Sequence, residues 1–250
     1  MTTARPTPPF DLAEAMKHLS STHENLKLLI DETPPFQMEL ASDGIHTPYH
    51  SLLEAITHQS ISGKAAATIF GRIKALSSTG AIPTPQEILK LRTSALRKAG
   101  LSGAKAIAMK DLAKKTIEGV VPTLEESRKL SDEELVKRLT SVRGIGAWTV
   151  EMFLIFRLGR PDVLPIHDLG VKKGWSLTYG KKRMPKPKEL LKFGECWRPY
   201  RTVASWYMWR ACHRAGNAAM RKIRPAKVRK RKSSLPTRRK RKSKPRKNVA

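Results

Sequence analysis

A chain of 250 residues carries 49 Lys and Arg against 21 Asp and Glu, for a formal net charge of +28. That length supports one sizeable core or two small lobes, and the charge favours a polyanionic partner over a bland soluble role. Two cysteines, Cys196 and Cys212, exclude a four-thiolate iron–sulfur site and a disulfide framework, and read as reduced thiols of an intracellular protein.

In chain order, residues 1–9 are rich in Pro and Thr, lack the apolar core of a signal peptide, and are expected to be disordered. No later run approaches the ~20 apolar residues of a membrane span. Leu12, Ala15, Met16, Leu19, Leu26, Leu29 and Ile30 recur at helical spacing. Ser20-Ser21-Thr22 breaks that pattern, with Thr22 placed to cap a second helix. Pro34-Pro35, Gly44 and Pro48 mark a loop over 31–48. Two helices, 49–57 and 63–76, flank the polar turn His58-Gln59-Ser60-Ile61-Ser62. Thr84 followed by Pro85 starts another helix. A Gly-rich turn at 99–103, inside 96–113, reads as a helix-to-helix junction. Ser131-Asp132-Glu133-Glu134 looks like a capping box. Helices are expected from Asp168 to about Tyr179, over 189–197 and over 200–220, with a basic Pro-rich loop at 181–188. No alternating pattern is long enough to demand a strand, so residues 10–222 read as one all-α domain.

The tail differs in kind. Residues 221–250 hold 16 Lys and Arg and no acid, which leaves +12 on residues 1–220. From 223 on, two basic clusters separated by Ser-Ser-Leu-Pro-Thr form a disordered tail that reads as a bipartite nuclear localisation signal, giving an expected nuclear location. The alternative is a non-specific DNA-binding arm, and the two are compatible.

The informative segment is 139–171. Leu135, Leu139 and Val142 repeat at helical spacing before the turn Arg143-Gly144-Ile145-Gly146. Trp148, Met152, Ile155 and Phe156 repeat after it. Glycines there permit positive φ and a close approach, and amides at the mouth of the second helix can face a phosphate. Twenty-four residues after Gly144 comes Asp168. Leu139-x-x-Val142-x-Gly144-Ile145-Gly146-x-Trp148-Thr149, followed by Arg160-Pro161-Asp162-Val163-x-Pro165-x-x-Asp168-Leu169-Gly170, resembles the helix-hairpin-helix DNA glycosylases of the alkylbase (3-methyladenine) type. The resemblance runs from about residue 45 to 214.

That resemblance implies a fold of two helical lobes with the active site between them, the hairpin lying at about 135–157. It implies a monomer of base-excision repair that hydrolyses the glycosidic bond of alkylated purines in double-stranded DNA. Such purines carry a positive charge and leave neutral, so the enzyme supplies extrusion, a pocket and stabilisation of a cationic sugar. Asp168 is the implied catalytic carboxylate. Its alternative role is as a helix cap, and Asp162, in a Pro-Asp turn, is the rival acid that reads as structural. Trp148, Met152, Trp209 and Trp206 form the expected aromatic pocket, since a cationic base stacks on electron-rich rings. Met152 stands where the family often has Tyr. DNA contacts are expected from Gln59, Ser60, Ile61, Ser62 and Lys64 in the minor-groove turn, and from Arg143, Gly144, Ile145 and Gly146. His58 occupies the place of a second Gln in relatives. Ser60 or Ile61 is the wedge that replaces the flipped base, Ile61 being the better apolar plug. Relatives with lyase activity carry a nucleophilic Lys where this chain has Trp148, which implies a monofunctional enzyme. No redox or organic cofactor is implied; the hairpin backbone is a possible site for a monovalent cation. Competing readings are a non-enzymatic DNA-binding module, which has no need of Asp168 and an aromatic pocket, and an RNA-binding or chromatin protein dominated by its tail.

Overall fold

In a computed structural model, residues 9–37 and 47–223 are described, with side chains to residue 216. The N-terminal nine but for Pro9, residues 38–46 of the 31–48 loop and the basic tail beyond Ile223 lie outside the described residues. Among those residues the chain forms thirteen α-helices and one 3-10 turn, with no strand.

The first two helices are α1 (Leu12–Thr22) and α2 (Glu24–Asp31). Their junction differs from the sequence expectation. His23, in extended backbone, caps α2 by accepting from the Asn25 amide, while the Thr22 hydroxyl turns back to the Leu19 carbonyl. Next come α3 (Pro48–His58), α4 (Gly63–Lys74), α5 (Pro85–Lys90), α6 (Thr93–Lys98) and α7 (Gly103–Ile117). Thr84 and Glu87 make a complete capping box at α5. Then follow α8 (Leu124–Lys129), α9 (Asp132–Thr140) and α10 (Ala147–Phe156). At α9 only half of the expected box forms. Ser131 accepts from the Glu134 amide, but the Glu134 carboxylate pairs forward with Arg138. The chain ends in α11 (Leu169–Thr178), α12 (Pro187–Phe193), the 3-10 turn Gly194–Trp197 and α13 (Arg201–Ile223).

Two groups of helices emerge from the packing. In the first, α7 packs on α3, α5 and α6, and α10 packs on α3 and α9. In the second, α11 lies along α13, with α1 and α2 against them. The α11–α13 approach depends on Gly174, where a Cβ would sit 1.9 Å from the Met208 carbonyl oxygen. The N-terminal helices therefore join the C-terminal ones. Asn25 donates to the Thr178 carbonyl at 3.1 Å, and the His18 ring lies 3.3 Å from the Cys196 carbonyl.

The segment joining the two groups, residues 157–168, is tied down at both ends. Arg160 donates to the carbonyls of Ser127 and Leu130 and pairs with Asp132. Asp162 pairs with Arg201 at 2.6 Å and with Arg198 at 2.7 Å. The buried Thr202 hydroxyl donates to the Arg160 carbonyl and accepts from the Val163 amide. Asp162 is thus spent on holding this crossover to α13, as its Pro-Asp turn suggests. The next ordered acid along the crossover is Asp168.

Candidate active site

Asp168 is the N-cap of α11: one carboxylate oxygen, Oδ1, accepts from the Val171 amide at 2.7 Å. The same oxygen accepts from the Trp209 indole at 2.8 Å, and Oδ2 accepts from the Trp148 indole at 2.8 Å. Capping and a site role therefore coexist on one carboxylate. Three donors from three helices, α10, α11 and α13, fix its plane and bring the two helical groups together. Gly170 makes the arrangement possible. A Cβ there would lie 2.8 Å from Trp209 Cδ1 and 3.1 Å from Asp168 Oδ1.

Trp148 also lines a cavity of about 360 Å³. Its α10 wall is Trp148, Met152 and Phe156, one helical face; its α3 wall is Ser51, Ala55 and His58. Behind Phe156, Trp209 stacks at 5.7 Å between ring centroids and 24° between planes. At the rim Glu54 and Arg157 pair at 3.3 Å. Trp148 remains 48% exposed, so one indole face is open for stacking. Trp206 is not part of this cavity. It is buried edge-on against Phe36 and Tyr207, with the Arg210 guanidinium over its ring. Its placement corrects the sequence expectation: the second group of helices needed an apolar anchor against residue 36, and Trp206 supplies it.

Glu151, one turn after Trp148 on α10, lies near enough to feel the Asp168 charge. One of its oxygens, Oε2, is buried and has no partner among the described residues. Burial, and after it the charge of Asp168, pushes its carboxyl up to about 7. Nothing in the sequence pattern singles it out.

The hairpin separates the roles of its residues. Gly144 has φ +79°, and a Cβ there would come within 3.2 Å of Ala108 Cβ. Gly146 is extended, at φ −97°, with open space around a Cβ. It caps α10 without any side-chain cap, so the first amides of α10 carry no side-chain acceptor. Ile145 is buried in the core, which confines any DNA contact from it to its backbone. Arg143 is exposed.

The turn after α3 is tied to the hairpin. Gln59 Nε2 donates to the Gly144 carbonyl at 2.9 Å, a partly exposed bond between the two loops. The two partners are 85 residues apart in the chain. Ser60 holds φ +56°, uncommon for a residue with a side chain, and Ile61 beyond it is 39% exposed. Ser62 caps α4 through the Ala65 amide, and Lys64 is exposed.

Helix α7, which follows the second glycine turn, grips both the turn after α3 and the hairpin. Lys105 donates to the carbonyls of Thr57 at 2.9 Å and Gln59 at 2.6 Å, and burial holds its ammonium below the usual lysine range. Asp111 accepts from the Arg143 amide at 2.7 Å. Lys115 pairs with Asp111 and donates to the Ser141 carbonyl. The turn at 99–103 is a packing junction, with a Cβ at Gly100 (φ +114°) landing 2.8 Å from Ile69, and it also starts this scaffold.

Comparison with known proteins agrees with this geometry. Residues 53–199 match the HhH-GPD superfamily base excision DNA repair protein family. The chain is 40% identical over 199 residues to a DNA-3-methyladenine glycosylase 1 of Schizosaccharomyces pombe, covering 80% of this chain and 87% of that protein. Among solved structures it is similar to a Schizosaccharomyces pombe 3-methyladenine DNA glycosylase in complex with abasic DNA, at 39% identity and a TM-score of 0.68, covering 79% of this chain and 95% of that one. A DNA-3-methyladenine glycosidase from Bacillus halodurans aligns at 31% identity and a TM-score of 0.73, over 81% and 91% of the two chains.

Proposed function

The chain belongs to the HhH-GPD superfamily of base excision DNA repair proteins, and from that membership we propose a monofunctional glycosylase whose reaction is centred on Asp168. It is a DNA-3-methyladenine glycosylase, removing alkylated bases and binding damaged double-stranded DNA. The observation that carries the site assignment is the carboxylate of Asp168, fixed by two indoles, one of which walls the cavity.

In this reading the alkylated purine swings into the cavity between α3 and α10 and stacks on the open face of Trp148. The base is cationic and leaves neutral. Positive charge develops on the sugar as the bond lengthens, and the Asp168 carboxylate stabilises it and orients the water that adds to the sugar carbon. One proton of that water passes to solvent. The indole N–H groups hold the carboxylate in place without neutralising it, so it needs no reorganisation as the reaction proceeds. Ile61 fills the vacated stack, a role supported by its exposure at a loop tip and by the strained backbone of Ser60 that presents it. Arg143 and the amides from Gly146 onward hold the backbone phosphate.

Absence of lyase activity is part of the proposal. Trp148 stands at the position of the Schiff-base lysine, and the next lysine, Lys172, is on α11. The enzyme is proposed to act as a monomer in the nucleus, delivered by its basic tail.

Asp168→Asn tests the centre. The Asn oxygen can still accept from Val171 and Trp209, but its amide meets the Trp148 indole as donor against donor. Single-turnover release of 3-methyladenine from duplex DNA should fall on the order of 10²-fold or more. Product binding and the thermal melt should stay close to wild type, since Asn caps helices nearly as well as Asp. Wild-type release would move the chemistry elsewhere.

A further inference from the structure

The α3 wall of the cavity differs chemically from the α10 wall. Ser51, Ala55 and His58 lie at successive turns on one face of α3. The ring nitrogen Nδ1 of His58 stands 2.9 Å from the Glu54 carbonyl oxygen. A carbonyl oxygen only accepts, so Nδ1 bears the hydrogen and a neutral ring keeps its lone pair on Nε2. No described residue donates to that lone pair. Two turns earlier the Ser51 hydroxyl is buried with no partner either. The charged groups at the rim, Glu54 and Arg157, are bonded to each other, and the facing α10 wall offers Trp148, whose N–H Asp168 takes, the apolar Met152, Phe153 and Phe156, and the hydroxyl of Thr149. The α3 wall thus offers the cavity a ring lone pair that no described residue takes and a buried hydroxyl without a partner.

We propose that His58, with Ser51 beside it, is the specificity-determining wall of the base site, its Nε2 accepting a hydrogen bond from the exocyclic amine of an alkylated adenine. The inference rests on the cavity being the base site. An acceptor in the wall discriminates because a base that cannot donate displaces its water and leaves it unpaired. A purine whose exocyclic nitrogen bears hydrogen satisfies His58. One whose nitrogen is closed into an extra ring does not, although it stacks equally well on Trp148. The same contact fits the positive charge of the substrate, since a lone pair faces the cation.

The test measures single-turnover excision from two duplexes, one with 3-methyladenine and one with 1,N6-ethenoadenine, whose N6 carries no hydrogen. His58→Phe keeps the aromatic volume and removes the acceptor. The ratio of the two rates should fall about tenfold, the scale of one hydrogen bond, through slower release of 3-methyladenine. His58→Gln restores an acceptor and should recover most of the ratio, whereas a packing role would make Phe the better substitute. A ratio unchanged in His58→Phe, or Gln no better than Phe, overturns the proposal. Ala55→Phe, which fills the cavity from the same wall, separates the premises. If it excises both lesions at the wild-type rate with an unchanged melt, the cavity is not the base site and both readings fall. If it blocks excision while His58→Phe keeps the ratio, only the role of His58 is lost.

Discussion

At the scale of single residues, the carboxylate of Asp168 owes its geometry to the absence of a side chain two positions on. A methyl group at Gly170 would meet Trp209 at 2.8 Å, and Trp209, stacked on Phe156, has no room to retreat. Gly170→Ala should therefore twist Asp168 and lower single-turnover excision on the order of tenfold, with product DNA still bound. Excision at the wild-type rate would show that Trp209 does not position the carboxylate. Glu151 makes a separate prediction about pH. Its carboxyl titrates near 7 when folded, above its ordinary value of 4.5, because burial and the Asp168 charge disfavour the ionised form. The unfolded chain releases that proton first, so the residue costs stability as pH rises from about 4.5 through about 7. Glu151→Gln removes this cost. Its melting temperature relative to wild type should be higher at pH 8 than at pH 5, and a difference independent of pH would refute the shift.

Among the elements, α7 is the one that joins binding to chemistry, and it carries no residue of the site itself. Through Lys105 it holds the turn that presents Ile61, and through Asp111 and Lys115 it holds the hairpin. The two hairpin glycines should behave differently. Gly144→Ala places a Cβ at positive φ and against Ala108, and should destabilise the fold by about 1 kcal/mol in a denaturant titration. Gly146→Ala has space and an ordinary φ, so the fold should be unaffected while duplex affinity drops, the methyl group standing between the α10 amides and a phosphate. Equal affinity to wild type at matched salt would remove Gly146 from the phosphate contact. Much of this element was legible beforehand, because a glycine turn between apolar helices and an acid at fixed spacing are local patterns. Gln59 was not, since its partner lies 85 residues on and no periodicity reports it. Trp206 and Trp209 could not be told apart for a similar reason. They are three positions apart on one helix, and only the fold shows that one faces Phe36 and the other Asp168. The face formed by Ser51, Ala55 and His58 escaped because its residues are small or polar and so leave no hydrophobic signature.

For the whole molecule, charge is divided between the folded domain and the tail. The 14 Lys and Arg of residues 224–250 lie outside the described structure. Each phosphate neutralised contributes about −0.9 to the slope of log affinity against log salt. Removing residues 224–250 should flatten that slope and abolish nuclear accumulation, while excision at saturating enzyme persists. Loss of excision at saturation would place the tail in the catalytic domain. The pairing of the first two helices with the last has a further consequence, one for synthesis on the ribosome. The helices α1 and α2, with Leu19 and Leu26 buried, meet their partners only from α11 onward, at Thr178 and Cys196, some 153 and 178 residues later. At roughly 5–20 residues per second those helices wait on the order of ten seconds or more. The α3–α10 helices can settle among themselves in that interval, but the carboxylate of Asp168 gains its Trp209 partner only when the final helix emerges. The nascent protein can therefore acquire its hairpin and its cavity before the Asp168 carboxylate is fixed.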